Sequence, residues 1–208
     1  MKFTLTIICV FATGIAVGLT HVLPETLPYS EATTIILYIL IAQIGFSLGS
    51  SPNLKDLLKE INLKNLLIPI GTIAGTLLFS LITGCIIGKH SPGEWLALGS
   101  GLGYYSLSSV LILDLKTSQI GLQAAQELAT LAIFTNIIRE ILSISLIPII
   151  ARKFDAYAAV SATGVCSLDV ALPFIERQGG KRMVAVSVLH GAVLELCVPL
   201  LVTLFCMF

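Results

Sequence analysis

The sequence predicts an all-α fold, a polytopic helical membrane protein with about seven transmembrane segments, some of them discontinuous. The chain has 208 residues, of which 56% are hydrophobic and only 12% are charged. That charged fraction is about half the usual value for a soluble domain. The mean hydropathy is +0.97. Polar and glycine-rich motifs interrupt several apolar segments, although helix surfaces that face lipid are normally apolar.

The apolar residues fall into seven segments separated by short connectors. These segments are residues 3–19, 33–48, 66–88, 95–113, 122–150, 156–175 and 183–208. The connectors are rich in Pro, Gly and Ser, which is typical of turns, and none is long enough for another domain. We therefore expect a single transmembrane domain over residues 1–208. Residues 53–65 alternate Leu with charged residues, which predicts an amphipathic helix at the membrane surface.

The first segment has two interpretations. It follows Met1-Lys2, as a signal peptide would, but it is longer than a typical signal core and lacks a cleavage site of small residues. A retained first span is therefore the expectation. The connectors place eight Lys and Arg residues on one side of the membrane and three on the other, with Arg139 inside a segment. This asymmetry predicts an inside amino terminus and an outside carboxyl terminus. If residues 95–113 formed a re-entrant loop instead of a span, this asymmetry of Lys and Arg would disappear.

Charge and cysteine content exclude several classes of function. The formal net charge is zero, and no basic tail or patch indicates nucleic-acid binding. The five cysteines lie in apolar segments, without a CxxC pair or a histidine at metal-ligand spacing, so we predict no disulfide, metal or cofactor. No nucleophile elbow or metal motif indicates an enzyme.

The first polar motif is GSGLGYYSLSS at residues 99–109. Glycine is a poor helix former, and unwound backbone at membrane depth is tolerated where it lines a cavity or is buried in protein. We predict broken-helix backbone here that binds an ammonium group with the help of neighbouring hydroxyls. The glycines are Gly99, Gly101 and Gly103, and the candidate side chains are Tyr104, Tyr105, Ser106 and Ser108. The alternative is close helix packing through small residues.

The second motif is a polar group within residues 122–150. Asn136 and Glu140 are four residues apart and share a helix face, and Arg139 lies beside them. Charge at this depth is costly, which indicates contact with protein or water. The group either contacts substrate or acts as a structural clamp on a neighbour's broken backbone.

The third motif combines Gly164, Asp169 and Pro173. Pro173 cannot donate a backbone hydrogen bond to the carbonyl of Asp169, which favours a broken helix beside a carboxylate. Transporters build cation sites in this way near the middle of the membrane. The alternative is a structural acid paired with Arg139.

His190 and Glu195 in the last segment are also candidates for proton or substrate binding. They are five residues apart and do not share a helix face. Free imidazole titrates near physiological pH, so His190 is either a proton carrier or a hydrogen-bonded core histidine.

At these motifs the chain resembles the lysine exporter LysO family. The resemblance rests on GSGLGYYSLS, Asn136-x-x-Arg-Glu, Asp169-x-x-Leu-Pro, Gly179-Gly180 and His190-Gly191, in this order along most of the chain. It implies export of L-lysine and close analogues such as thialysine across the cytoplasmic membrane, in exchange for protons. It also implies that Asp169 is a membrane-embedded acid required for transport.

The chain departs from the family pattern in two respects. Members of full length carry about three more amino-terminal spans, which implies a short companion membrane subunit for this chain, and a homo-oligomer is a further alternative. Ser47 stands where members often have an acid. The tripeptide Ala-Thr-Gly ends at both Gly14 and Gly164, and this echo suggests an inverted-repeat transporter fold with two broken helices. The alignment of the two tripeptides makes Gly45 and Glu195 equivalent positions of the two repeats. We expect Glu195 to replace the acid that is missing at Ser47.

These expectations give one mechanism and three alternatives. Asp169 binds a proton or the lysine ammonium group in turn, by alternating access between the two sides of the membrane. The alternatives are export of another cationic amino acid or a diamine, a passive channel, and a structural membrane subunit.

Overall fold

The computed structural model describes residues 63–208 and twelve single positions between Cys9 and Phe46. The predicted segments 3–19 and 33–48 lie outside these residues except for those positions. Most of the predicted surface helix at 53–65 also lies outside them. Its last three residues already belong to the first described helix, which begins at Leu63.

The described part from residue 63 onward is built from helices alone. Seven α-helices and one 3-10 turn follow one another along the chain. They are α1 (Leu63–Ile87), α2 (Pro92–Gly99), α3 (Tyr105–Ile120), α4 (Leu122–Lys153), α5 (Ala156–Thr163), the 3-10 turn (Gly164–Leu168), α6 (Leu172–Gly179) and α7 (Arg182–Cys206).

Three of these helices are long and apolar enough to cross a membrane. They are Asn65–Ile87 in α1, Leu122–Lys153 in α4 and Arg182–Cys206 in α7. They agree with three predicted segments to within a few residues, since a long apolar run is a strong sequence signal. The prediction of an all-helical membrane protein is confirmed, and the number of seven spans remains a prediction.

Two predicted segments are each divided into shorter helices. Segment 95–113 is split into α2 and α3, and segment 156–175 into α5, the 3-10 turn and α6. Ser91 begins α2 with a capping box, in which its side chain and backbone exchange hydrogen bonds with Glu94. The side chain of Asp155 begins α5 by accepting a hydrogen bond of 2.7 Å from the backbone N–H of Ala158. The helices of this membrane protein are therefore discontinuous.

The role predicted for Pro173 is wrong in one respect. We expected it to leave the carbonyl of Asp169 free, but that carbonyl accepts a hydrogen bond of 3.1 Å from the backbone N–H of Leu172. Pro173 lies in the first turn of α6, where a missing N–H costs little. It therefore begins a helix after the break.

The centre of the fold is α7, which packs against α1, α2, α3, α5, α6 and the 3-10 turn. One apolar core lies where α2, α3, α4 and α7 meet, and a second lies among α4, α5, α6 and α7. The broken segments contribute to both cores, since Leu102 and Val165 belong to the first and Cys166 to the second. Their polar backbone is thereby held inside protein, as an interruption at membrane depth requires.

Candidate functional site

The loop between α2 and α3 meets the 3-10 turn in the interior. The backbone N–H of Val165 donates to the carbonyl of Leu102 at 2.9 Å, and the thiol of Cys166 lies 3.9 Å from the carbonyl of Gly103. Both segments leave helical geometry here, since Gly103 has φ of +102° and Gly164 has φ of +62°. The two interruptions therefore form one contact, which we call the crossing.

The crossing requires glycine for space as well as for conformation. A methyl group on Gly164 would overlap the carbonyl oxygen of Leu102 and would lie 3.2 Å from Cζ of Arg139. A methyl group on Gly101 would overlap Nδ2 of Asn136. Gly99 is the last residue of α2 and lies against Ser80 of α1. Close packing, the alternative to a cavity for this motif, accounts for Gly99 and Gly101.

Asn136 of α4 holds the loop in place. Its Oδ1 atom accepts a hydrogen bond of 2.7 Å from the backbone N–H of Gly103, and Nδ2 donates to the carbonyl of Ala132 at 2.8 Å. The side chain is 2% exposed. Nδ2 also lies 3.5 Å from Oγ of Ser108, which itself donates to the carbonyl of Tyr104 at 2.7 Å. Asn136 therefore has the geometry of a clamp on broken backbone.

We expect Asn136→Ala to lower the free energy of unfolding by about 1–3 kcal/mol, because the buried N–H of Gly103 loses its acceptor. The matched control is Gln126→Ala, which removes an exposed amide from the same helix. Thermal unfolding in detergent measures both variants. Equal stability of the two variants would contradict the clamp.

Arg139 lies beside the crossing on another face of α4. Its Nε atom donates to the carbonyl of Ala162 and Nη1 donates to Oγ1 of Thr76, each at 3.4 Å. Among the described residues Arg139 forms no ion pair with a carboxylate. The predicted alternative, a structural ion pair between Arg139 and Asp169, is therefore not found among them. The guanidinium group is therefore held by neutral groups.

Three carboxyl groups and two tyrosines near the crossing lie within electrostatic range of one another. Asp169 is close enough to both Glu140 and Glu195 for electrostatic interaction. Tyr104 interacts electrostatically with Asp169 and Glu195, and Tyr105 with Asp169 and Glu140. Glu140 is buried, Glu195 is half-buried and Asp169 is exposed. The structure thus brings the predicted acids of three elements together.

Glu140 is the most enclosed of these acids. It is 2% exposed, and its Oε1 atom has no hydrogen-bond partner among the described residues. An unsatisfied buried carboxyl oxygen is costly and calls for an explanation, of which a functional role is one. The described residues include no group of three or more His, Cys, Asp or Glu placed to hold a metal ion.

His190 is enclosed by hydroxyl groups from three other elements. Its Nε2 atom lies 3.0 Å from Oγ1 of Thr72 in α1, and Nδ1 lies 2.9 Å from Oγ of Ser167 in the 3-10 turn. Oγ1 of Thr72 lies in turn 2.6 Å from Oγ of Ser161 in α5. With both nitrogens bonded and only 1% exposure, His190 has the geometry of the hydrogen-bonded core histidine.

A groove of about 980 Å³ lies on the Arg139 side of the crossing, between α1, α2, α4 and α5. Six hydroxyl-bearing residues line it: Thr72, Thr76, Ser80, Thr83, Thr135 and Ser161. The first four recur every three or four residues and so share one face of α1. The sequence motifs did not include these four residues as site candidates, although their helical spacing is visible in the sequence. This stripe of hydroxyl groups places a polar surface opposite Arg139.

Comparison with known proteins identifies the family. The family model described as "Lysine exporter LysO" matches residues 8–206, which is nearly the whole chain. The chain belongs to the LysO family. The polar motifs at residues 99–109, 136–140 and 164–173 all lie within the matched region.

Two curated relatives are similar to this LysO-family chain. Lysine exporter LysO from Escherichia coli K12 is 31% identical over 195 residues, which cover 92% of this chain and 60% of the relative. A Haemophilus influenzae protein with the printed name "Putative lysine exporter" is 34% identical over 175 residues, covering 83% of this chain and 84% of its own length. The chain thus spans less than two thirds of the Escherichia coli protein. No solved structure matches it.

The LysO-family residues predicted near the amino terminus are described only in part. Gly14 and the preceding Thr13 are among the described positions and are helical, but Ile15 and most of the surrounding residues are outside the described set. Gly45 and Ser47 also lie outside it. The inverted repeat and the replacement of an acid at Ser47 by Glu195 therefore stay predictions.

Proposed function

We propose that this chain exports L-lysine and close analogues such as thialysine across the cytoplasmic membrane, in exchange for protons. The observation that carries the proposal is the position of the three acids. Asp169, Glu140 and Glu195 lie within electrostatic range of one another, near the crossing of two interrupted helices in a chain of the LysO family. Interrupted helices beside carboxylates are the usual way in which transporters bind cations within a membrane.

In the proposed mechanism Asp169 binds two cations in turn. A carboxylate binds either a proton or the ammonium group of lysine, and each cation displaces the other. Asp169 follows the 3-10 turn directly, and its side chain is exposed in the described part of the chain. Asp169 interacts electrostatically with Glu140 and Glu195, so negative charge on several of these acids at once is unfavourable. A bound proton or ammonium group relieves this repulsion.

The proposal includes the assembly and its orientation. The chain acts as one transmembrane domain over residues 1–208, with its amino terminus inside and its carboxyl terminus outside. A short companion membrane subunit that supplies further spans is part of the proposal. Association of several copies is the alternative arrangement.

The test measures lysine flux in proteoliposomes that contain the chain alone or with its companion. We expect flux of radiolabelled L-lysine to follow an imposed pH gradient and to saturate with lysine concentration. Flux that ignores the pH gradient would remove proton exchange from the proposal. Current without saturation would indicate a channel, and absence of flux from both preparations would contradict export.

A cell assay tests the same proposal in a living membrane. Cells without lysine exporters should grow poorly on lysine-containing dipeptides, because the released lysine accumulates. We expect expression of the chain with its companion to restore growth, and arginine or ornithine dipeptides to show which cationic amino acids are also exported. Unchanged growth on lysine dipeptides despite normal membrane expression would count against the proposal.

A further inference from the structure

The groove and the acids carry opposite charge. Among the described residues that line the groove, Arg139 is the only charged one, and the others are apolar, glycine or polar and neutral. Asp169, Glu140 and Glu195 do not line it. A groove with one guanidinium group and no carboxylate is unsuited to an ammonium group, and it suits an anion.

The guanidinium group of Arg139 has more N–H donors than the two described hydrogen bonds use. Arginine presents five N–H donors in a planar fork, and the two bonds to Ala162 and Thr76 are long, at 3.4 Å each. Nη2 lies beside Gly164 at the crossing, where a methyl group would come within 3.2 Å of it. Burial of a charge without a carboxylate partner is expensive. A carboxylate that enters the groove would remove this cost.

We propose that Arg139 binds the α-carboxylate of the transported amino acid, so that the substrate class is amino acids with a free α-carboxylate and excludes diamines. This inference rests on the proposed function and deepens it. Carboxylate fits the guanidinium fork with two parallel hydrogen bonds, which adds both affinity and orientation. The hydroxyl groups of Thr76 and Thr135 also line the groove and are available to the same ligand.

Arg139 is followed directly by an acid in α4. Arg139 and Glu140 are neighbours in α4, so their Cα atoms are about 3.8 Å apart, and their side chains diverge by roughly 100° around the helix. Lysine carries its ammonium group on a flexible four-carbon stem. The helix therefore supplies a matching charge for each end of the substrate.

The first test needs no variant. Binding to the purified, full-length protein is measured by calorimetry for L-lysine, L-lysine methyl ester and cadaverine. The ester keeps both amino groups and loses the carboxylate charge, and cadaverine loses the carboxyl group altogether. We expect both analogues to bind roughly 10- to 100-fold more weakly than L-lysine, as expected for a lost charge-assisted hydrogen bond. Equal affinities of the three compounds would overturn the inference.

The second test assigns the preference to Arg139. We expect Arg139→Gln to bind the three compounds with similar affinity, and Arg139→Lys to retain part of the preference, because a lysine keeps the charge without the fork. The matched control is Arg152→Gln, which removes an exposed guanidinium from the last turn of the same helix. It should keep the full preference. A folded Arg139→Lys that discriminates as the wild type does would overturn the inference, and so would unchanged discrimination in Arg139→Gln.

Failure of this inference is distinguishable from failure of export. Saturable lysine flux in the wild type, combined with equal transport of cadaverine, would leave export standing and remove the carboxylate site. Reduced stability of Arg139→Gln with an unchanged preference for lysine would assign Arg139 a purely structural role, through Ala162 and Thr76. Absence of both lysine flux and lysine binding in the wild type would reject the two proposals together.

Discussion

Lysine efflux should fall at least about tenfold in Asp169→Asn, while the amount of folded protein in the membrane stays the same. The amide cannot exchange a proton or pair with an ammonium group. Folding should survive because Asp169 is exposed and its side chain hydrogen-bonds only to the adjacent backbone N–H of Val170, among the contacts described. An amide oxygen can replace that bond. Efflux from cells loaded with lysine dipeptide, normalised to membrane expression, is the measurement.

Asp155→Asn is the matched control for this substitution. Asp155 begins α5, and Asn is as good a residue as Asp at a helix start, so the control should keep both expression and efflux. Normal efflux in Asp169→Asn would remove this acid from the mechanism. A loss of efflux that merely parallels a loss of protein would support the alternative in which the chain is a structural subunit.

Replacement of Gly164 by alanine should have the largest effect on folding. Its φ of +62° disfavours any residue with a side chain, and the new methyl group would overlap the carbonyl of Leu102 at the crossing. We expect Gly164→Ala to lower the free energy of unfolding by about 2–5 kcal/mol, from the combined cost of strain and overpacking. Thermal unfolding in detergent and yield from the membrane measure it.

Gly180→Ala separates the two causes. Gly180 has a similar φ of +75°, but a methyl group there meets no atom within 4 Å. It should therefore lose only the roughly 1–2 kcal/mol of conformational strain. If Gly164→Ala were no less stable than Gly180→Ala, the close approach of the two interrupted segments would be wrong.

The long helices could be read from the sequence because apolar length is a strong local signal. Helices α1, α4 and α7 begin and end within a few residues of the predicted segments. The interruptions at Gly103 and Gly164 also have a local cause, since glycine tolerates positive φ. The prediction that Pro173 frees the carbonyl of Asp169 failed because proline is compatible both with the end of one helix and with the first turn of the next. Only the three-dimensional structure distinguishes these two roles.

The site was less predictable than the helices because it depends on distant pairs. A clamp on broken backbone was one of the two roles predicted for Asn136, but nothing local indicates that its partner is Gly103, which is 33 residues away. Ser108 was a candidate for substrate binding, but its hydroxyl donates to the carbonyl of Tyr104 within its own helix. The hydroxyl stripe of α1 was readable from its spacing, but its importance appears only once Arg139 lies opposite to it.

The hydrogen bonds around His190 limit which parts of the protein can move separately. Thr72, Ser161 and Ser167 fasten α1, α5 and the 3-10 turn to α7 through one imidazole ring. Any motion that slides α1 along α7 must break buried polar contacts, which is unfavourable in a membrane where no water replaces them. We therefore expect these four elements to move as one block in the proposed mechanism, with the hinge between its two states outside that block.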